Sequence, residues 1–508
     1  MPESRGPLLP RPVTTAHPLA QAAAVVGGSL AVPTAGSVAV TGITHDSREV
    51  RPGDLYAALP GSRHHGSDFA AEVAQAGAVA ALTDPAGQAA CEAAGLATLV
   101  APDPRGVLGE LAAWIYGQPA RRLLTLGVTG TNGKTTVTHL MDGGLRAAGH
   151  TVGLVGTVGT RVGDEWLATA RTTPEATEVH ALLGVMADRG CTAVAMEVSS
   201  HAMSLGRVDG VAFDVAAFTN LSQDHLDFHA GMEDYYAAKA SLFTLAHART
   251  GVVCVDDAWG RRLAAEADLP IATCSAGGAD ALWRAADVEL RPAGSSFVVL
   301  GPQGRSAACS VRLPGAFNVA NALVAVAALA AAGVPLADAA RGVGEVDGVP
   351  GRMERIDVGQ PYLALVDYAH TPEALETLLV SLRPVTPGRL IVVFGAGGDR
   401  DRGKRPLMGA AAAQCADVVV LTSDNPRSED PLAILAALEQ GASGSADGAL
   451  VRVVPDRGEA IDAATSMARP GDTVVVAGKG HEQGQETSGQ VRPFDDRVAL
   501  RAAVEANR

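Results

Sequence analysis

LLTLGVTGTNGKTT, residues 123–136, is an apolar run that turns abruptly polar and glycine-rich. Leu123 to Val128 reads as a buried strand, and Thr135 to Ala148, closed by Gly149, reads as a helix. A loop so placed presents backbone N–H groups to phosphate oxygens, and the helix N-terminus adds positive partial charge. The candidate nucleoside-triphosphate set is Gly130, Thr131, Asn132, Gly133, Lys134, Thr135 and Thr136. Lys134 is expected on the β- and γ-phosphates and the Thr135 hydroxyl on a Mg²⁺ ion. One position departs from the strict pattern, which has glycine where this chain has Val128.

Working outward, the chain has 508 residues, 47% of them hydrophobic, enough for about three domains. Lys+Arg number 40 against 55 Asp+Glu, and the net charge of −15 disfavours broad attraction to nucleic acid or an anionic membrane. Six cysteines stand far apart with no CxxC pair, which argues against a disulfide scaffold and for a reducing, cytoplasmic compartment. The most apolar stretch, Asn318 to Gly333, is too short for a membrane span of about 20 residues. The proline-rich start shows no apolar signal core, so residues 1–37 are expected to be a flexible arm.

Short apolar runs broken by Gly, Pro and Asp predict a small α/β domain over 38–120. The phosphate-loop domain, with a parallel sheet, follows over 121–347, with TAVAMEV, VAAFTNL and GVVCVD as further strands. The Gly- and Pro-containing VDGVPGRMER marks a boundary, and 348–508 forms a third, Rossmann-like domain. There, YLALVDYAHTPE, LIVVFGAGGDRD, VVVLTSDNPR and TVVVAGKGHE are apolar runs that each end in a polar cluster. Such runs form a doubly buried parallel sheet with ligands beyond the carboxyl ends of its strands.

Three more features carry chemistry in the central segment. Glu197 ends the run AVAME, where a carboxylate can hold phosphate-bound Mg²⁺. His225, Asp227 and His229 alternate like metal ligands, although a loop with locally bonded histidines reads the same way. Lys239, in YYAAK, taken alone is a solvated helix face.

GTNGKTT, RTTPE, EVSSH, NLSQDHLDFH, YYAAK, FNVANAL, DYAHTPEAL, GGDRDRGKRP, SDNPR and GKGHE occur in that order over about residues 40–500. Together they resemble the Mur ligases of bacterial peptidoglycan synthesis, most of all the type that adds the third residue of the peptide. The resemblance implies a uridine-binding, an ATPase and a Rossmann-like domain. It implies ATP-dependent amide formation through an acyl phosphate, on UDP-MurNAc-L-Ala-D-Glu. It makes Lys134, Glu197, His225 and Lys239 the catalytic set, with Thr135, Glu197 and His225 on Mg²⁺ and Lys239 carbamylated. Asn318, Asp367 and His370 match nucleotide contacts. Ser47, within Asp46-Ser47-Arg48, matches the uridine segment, and Thr172, Thr173, Ser200 and Arg207 match the diphosphate and muramoyl part. A monomer is expected, with closure about residues 348–351 completing the site.

In this family DNPR accompanies diaminopimelate-adding enzymes, and lysine-adding relatives carry other residues in place of the arginine. Arg427 can fork two N–H bonds onto the carboxylate of an amino-acid centre that lysine lacks. Asp424, Asn425 and Glu482 can receive its ammonium, and Arg400 and Gly478 match further diaminopimelate contacts. The motif leaves the meso and LL forms unresolved. Lysine addition and a folylpolyglutamate-synthase-like reaction are the alternatives within this chemistry. A nucleotide switch needs no amino-acid pocket, and a hydrolase built on His225 to His229 leaves the phosphate loop unexplained. Gly395-Ala396-Gly397-Gly398 lacks dinucleotide spacing, because position 400 is arginine.

Overall fold

In the computed structural model, residues 9–169, 171–443 and 448–507 are described, and they form three α/β domains. The first holds a five-stranded sheet in the order Ser29–Leu30, Ala97–Val100, Ala80–Thr83, Asp54–Ala58, Gly42–Thr44. The last four run parallel, and Ser29–Leu30 joins antiparallel at the edge.

The expected flexible arm is corrected from residue 9 onward; residues 1–8 lie outside the described residues. Leu19–Val26 is a helix that begins after Pro18 and ends at Gly27 in the left-handed region (φ 62°). Its Leu19 and Ala22 are fully buried in the first domain's core. Arg11 pairs with the buried Asp54 at 2.7 Å. The prolines that suggested a loose arm delimit a helix whose small apolar face is satisfied by packing.

The central domain carries an eleven-stranded sheet with the phosphate-loop strand, Leu124–Thr129, between Ala193–Glu197 and Phe213–Phe218. Seven strands, from Val152–Gly156 across to Trp283–Arg291, are parallel. The expectation of a parallel sheet therefore holds for the middle only. Hairpin strands at 159–167 and a meander over 283–311 make both margins antiparallel. The Ala-rich run is the helix Ala316–Ala331, buried along nearly its whole length against the phosphate helix Lys134–Ala147. The helices meet where a Cβ on Gly144 would lie 2.2 Å from Leu329 Cδ1, so a larger residue there would force the leucine side chain to move.

The third domain's sheet runs Glu354–Arg355, Leu363–Asp367, Thr473–Ala477, Leu390–Phe394, Val418–Leu421, Leu450–Val453. All four apolar runs are strands, parallel to one another. The last in sequence inserts between the first two, which brings the polar clusters after Asp367, Phe394, Leu421 and Ala477 to one edge. Among the described residues no helix is long and apolar enough to cross a membrane.

Candidate active site

A cleft of about 910 Å³ lies between the central and third domains, with the phosphate loop on one wall and Arg352, Asp367, His370 and Arg400 on the other. The loop's shape is set from outside. Thr131 N–H donates to the Asn220 carbonyl (2.8 Å), Asn132 N–H to Asn220 Oδ1 (3.0 Å), and the Thr219 hydroxyl to the Asn132 carbonyl (2.6 Å). Gly130 has φ 147°, and a Cβ there would fall 1.9 Å from Thr219 Oγ1. Val128, the departure from the strict motif, is still within the strand, paired with Glu197 and Ala217. The turn begins after it, so no glycine is needed there.

Lys134 Nζ donates to the carbonyls of Gly130 and Thr131, both at 2.9 Å. Lys239 reaches the same Gly130 carbonyl from the helix Met232–Ala240 (2.8 Å), lying 4.6 Å over the Tyr235 ring. It is 1% exposed, which corrects the reading of a solvated helix face. Burial lowers the pKa of both lysines; for Lys239 the shift is far below 10.5, and the Lys134 charge adds to it.

Glu197, at the end of its strand, accepts from Thr157 N–H (2.8 Å) and its hydroxyl (3.0 Å) and borders the cleft. His225 sits at φ 54°, its Nε2 3.6 Å from Asp224 Oδ2. Burial, with Lys134, His201 and Lys239 acting in the same direction, brings its pKa down to about 4 against the pull of Asp224. Thr135 Oγ1 accepts from Arg352 Nη2 at 3.1 Å. Among the described residues no three His, Cys, Asp or Glu side chains are grouped to hold a metal. The alternating run is likewise not a ligand set, because His229 turns inward to Ser200 and Asp234. One carboxylate, one imidazole and one hydroxyl beside a phosphate loop nonetheless fit a Mg²⁺ ion held mainly by phosphate and water.

Thr172 and Thr173 line the same cleft. Thr172 Oγ1 lies 3.1 Å from Thr157 Oγ1, and Thr173 donates to the Glu197 carbonyl (2.8 Å). Arg207 also lines it, paired with Glu175 at 2.8 Å. Ser200 does not. Its side chain is buried against His229, and the preceding Ser199 stands on the wall instead. Ser47 lies in the first domain, in a turn capped by Asp46, away from this cleft. Asn318, Asp367 and His370 are all at the cleft. Asp367 accepts from the N–H groups of Met353 (2.7 Å) and Ala369 (2.8 Å). Burial raises its pKa and lowers that of His370.

The third domain gathers the remaining candidates. A Cβ on Gly478 (φ 114°) would lie 2.7 Å from Asp424 Oδ2. Asn425 Nδ2 donates to Glu482 Oε2 at 3.0 Å. Arg427, at φ 52°, donates Nη1 to the Gly398 carbonyl (2.8 Å) and has Nε 3.5 Å from Glu486. Arg400 and Arg427 both approach Gly397. The expectation that Asn425 and Glu482 stand open for an ammonium needs correction. The fully buried Lys479 already donates to Asn425 Oδ1 and Glu482 Oε2, both at 3.0 Å. Lys479 and Arg352 were visible in GKGHE and VDGVPGRMER but carried no local signal of their partners.

A phosphate loop thus faces, across one cleft, Arg352 and Arg400 of a second α/β domain, an arrangement suited to a nucleotide-dependent ligase. The Mur ligase family's catalytic-domain profile matches residues 39–116, its middle domain 128–329 and its glutamate ligase domain 351–480. The chain belongs to the Mur ligase family of ATP-dependent amide ligases. It is 59% identical to the UDP-N-acetylmuramoyl-L-alanyl-D-glutamate--2,6-diaminopimelate ligase of Streptomyces coelicolor, over 97% of this chain and 98% of that one. The Corynebacterium glutamicum protein of the same name is 50% identical, over 92% of each. A solved structure of a ligase of that name superposes with a TM-score of 0.66 at 36% identity, covering 92% of this chain and 95% of the other.

Proposed function

We propose that this chain joins 2,6-diaminopimelate to the D-glutamate of UDP-MurNAc-L-Ala-D-Glu with hydrolysis of ATP to ADP and phosphate, in peptidoglycan precursor synthesis. The observation that carries the reading is the meeting, across one cleft, of the phosphate loop with Arg400 of the third domain, beside which Arg427 also approaches Gly397. The chemistry begins with two anions. The glutamate γ-carboxylate attacks the γ-phosphorus of ATP, ADP leaves, and an acyl phosphate remains. The diaminopimelate amine then attacks the acyl carbon, loses a proton, and phosphate leaves as the amide forms.

The first step needs positive charge where two anions approach. Lys134 supplies it from the loop and Arg352 from the third domain, stacked 4.2 Å over the Tyr368 ring. Thr135, Glu197 and His225 are the residues suited to hold Mg²⁺, which when bound neutralises phosphate charge. Lys239 is a buried amine whose pKa burial holds well below 10.5, and its neutral form can condense with CO₂, releasing one proton, to give a carbamate. Intact-protein mass spectrometry with ¹³C-bicarbonate tests this, and a bare amine under all CO₂ pressures rules it out. Arg427 supports diaminopimelate over lysine, since only the former brings a second carboxylate to meet the guanidinium. The first-domain match at 39–116 favours a UDP-linked donor over a folate-type one. We infer action as a monomer in the cytoplasm, where ATP and reduced thiols coexist; all six cysteines are free.

The deciding experiment is ATP-dependent ligation of UDP-MurNAc-L-Ala-D-Glu with meso-diaminopimelate, LL-diaminopimelate or lysine in separate reactions. Product with lysine alone overturns the assignment of the amino acid. ADP release that does not depend on the UDP-linked dipeptide overturns the ligase reading.

A further inference from the structure

His229 belongs to the alternating His225–His229 run, yet it takes no part in lining the cleft and is 3% exposed. Its Nδ1 lies 3.1 Å from Asp234 Oδ2 and its Nε2 3.0 Å from Ser200 Oγ. A carboxylate only accepts, so Nδ1–H donates to Asp234, and Nε2 of the neutral ring accepts from the Ser200 hydroxyl. Asp234 Oδ2 is itself fixed by the Ala230 N–H at 3.1 Å. The ring is packed against Phe228 and Tyr235, with centroids at 4.9 and 5.0 Å.

From this ring two short routes lead to two separate segments that line the cleft. Asp234 adjoins Tyr235, whose hydroxyl meets Thr131 Oγ1 of the phosphate loop at 3.1 Å, and the same helix carries Lys239. Ser200 adjoins Ser199, whose N–H donates to Thr173 Oγ1 at 3.1 Å, and Thr173 in turn donates to the Glu197 carbonyl. A histidine needed only for packing would not hold one polar partner from each segment with both ring nitrogens.

We propose that His229 is a positioning residue: the Asp234–His229–Ser200 relay holds the wall formed by Ser199 and Thr173 in register with the phosphate loop and Lys239. The inference rests on the ligase reading above, with the nucleotide at the loop and the second substrate along residues 172–207. Asparagine at 229 keeps a donor for Asp234 and loses the acceptor for Ser200; glutamine reaches the Nε2 position to meet Ser200 and loses the donor to Asp234, so each variant breaks one arm of the relay.

The test is steady-state kinetics on the full chain for H229N, H229Q, S200A and the double variant H229N/S200A, with ATP and the UDP-linked dipeptide each varied. H229N and S200A are each expected to lower kcat/KM for the dipeptide about tenfold and to leave KM for ATP within twofold. The double variant matches the single ones, because both remove the same link, and H229Q, which breaks the Asp234 arm instead, shows a comparable loss. Additive losses overturn the relay, as do wild-type kinetics in either H229N or H229Q or parallel rises in both KM values. Imidazole ¹⁵N NMR on the histidine-labelled wild type adds a readout independent of turnover. An Nδ1–H tautomer at His229 is expected, and an Nε2–H tautomer overturns the relay. A wild-type chain that does not ligate sinks the ligase reading, and the tautomer alone then decides the relay.

Discussion

Arg457→Met removes one half of a completely buried ion pair that stands directly behind the proposed amino-acid pocket. Arg457 and Asp496 are both 0% exposed. Nε and Nη2 of the guanidinium donate to the two carboxylate oxygens at 2.7 Å each. Nη2 also donates to the Ala477 carbonyl at 2.9 Å, and Nη1 to the Ser423 carbonyl at 3.3 Å. Those carbonyls immediately precede Gly478 and Asp424, so the guanidinium ties together the two strand ends that carry the pocket. Methionine fills similar space but strands the Asp496 carboxylate without a cation, which costs about 3–5 kcal/mol.

For a domain of this size, about 2–4 °C of Tm is lost per kcal/mol, so the third domain's transition drops by about 6–20 °C. Adding Asp496→Leu removes the stranded charge, and most of the stability returns, because replacing both partners by apolar groups is often close to neutral. The assay is scanning calorimetry of the full chain, with ligation kinetics in parallel. KM for diaminopimelate rises in both variants, since the Ser423 and Ala477 carbonyls lose their donor in both. An R457M protein within about 1 kcal/mol of wild type, or a double variant no more stable than the single, refutes the reasoning.

Arg352→Ala, which loses a charged hydrogen bond worth about 1.5–3 kcal/mol, is expected to lower kcat/KM for ATP by about 10- to 150-fold. KM for diaminopimelate should hold; unchanged ATP kinetics excludes Arg352 from the nucleotide site. Arg427→Ala raises KM for diaminopimelate by a similar factor and leaves KM for ATP unaltered, and a flat diaminopimelate response shows that this arginine does not read the substrate. Lys239→Met abolishes turnover yet raises Tm. The folded amine's pKa lies well below the unfolded value of about 10.5, so wild-type stability declines, and the variant's margin grows, as pH falls below 10. A margin that shrinks with falling pH contradicts a depressed pKa. His180, fully buried with its pKa brought down to about 4 by burial, gives stability that is present above about 6.5 and lost as pH falls through 4. Urea unfolding at pH 7 and pH 5 should show His180→Gln losing about 2 kcal/mol less than wild type, and equal losses dismiss the histidine as the acid-sensitive group.

What could be read from the sequence was whatever depends on a local pattern. The strand–loop–helix around Lys134 and the four apolar runs of the third domain stand in the structure as strands and loops at the places expected. Their spatial order was not legible, because the insertion of Thr473–Ala477 between Leu363–Asp367 and Leu390–Phe394 is a long-range pairing that no single run encodes. The meander of 283–311 was missed for another reason: segments such as WRAADVELR are half-exposed and polar, and their apolar content is too low to stand out. Lys239 illustrates the limit most sharply. Its helix has almost no amphipathic contrast, so only the tertiary approach of Tyr235 and the Gly130 carbonyl tells that this lysine is inside. Arg352 and Lys479 sat within quoted motifs, but their partners Thr135 and Asn425 lie 217 and 54 residues away.

The two lysines on one carbonyl explain how a chain of net charge −15 serves polyanionic substrates. Bringing two lysine amines to Gly130 O away from bulk water lowers both pKa values, chiefly through burial, with the Lys134 charge adding to the shift of Lys239 and the Arg352 charge to that of Lys134. Neutral carbonyls are weak compensation. A triphosphate is a far stronger partner for Lys134, and a carboxyl group placed on Lys239 would remove the second cation altogether and turn it into an oxygen donor. Either change relieves the repulsion. The electrostatic cost of the site's construction would thus be released by a bound triphosphate and by the proposed modification of Lys239, and the acidic remainder of the surface plays no part in that exchange because at separations beyond about 8 Å it is screened.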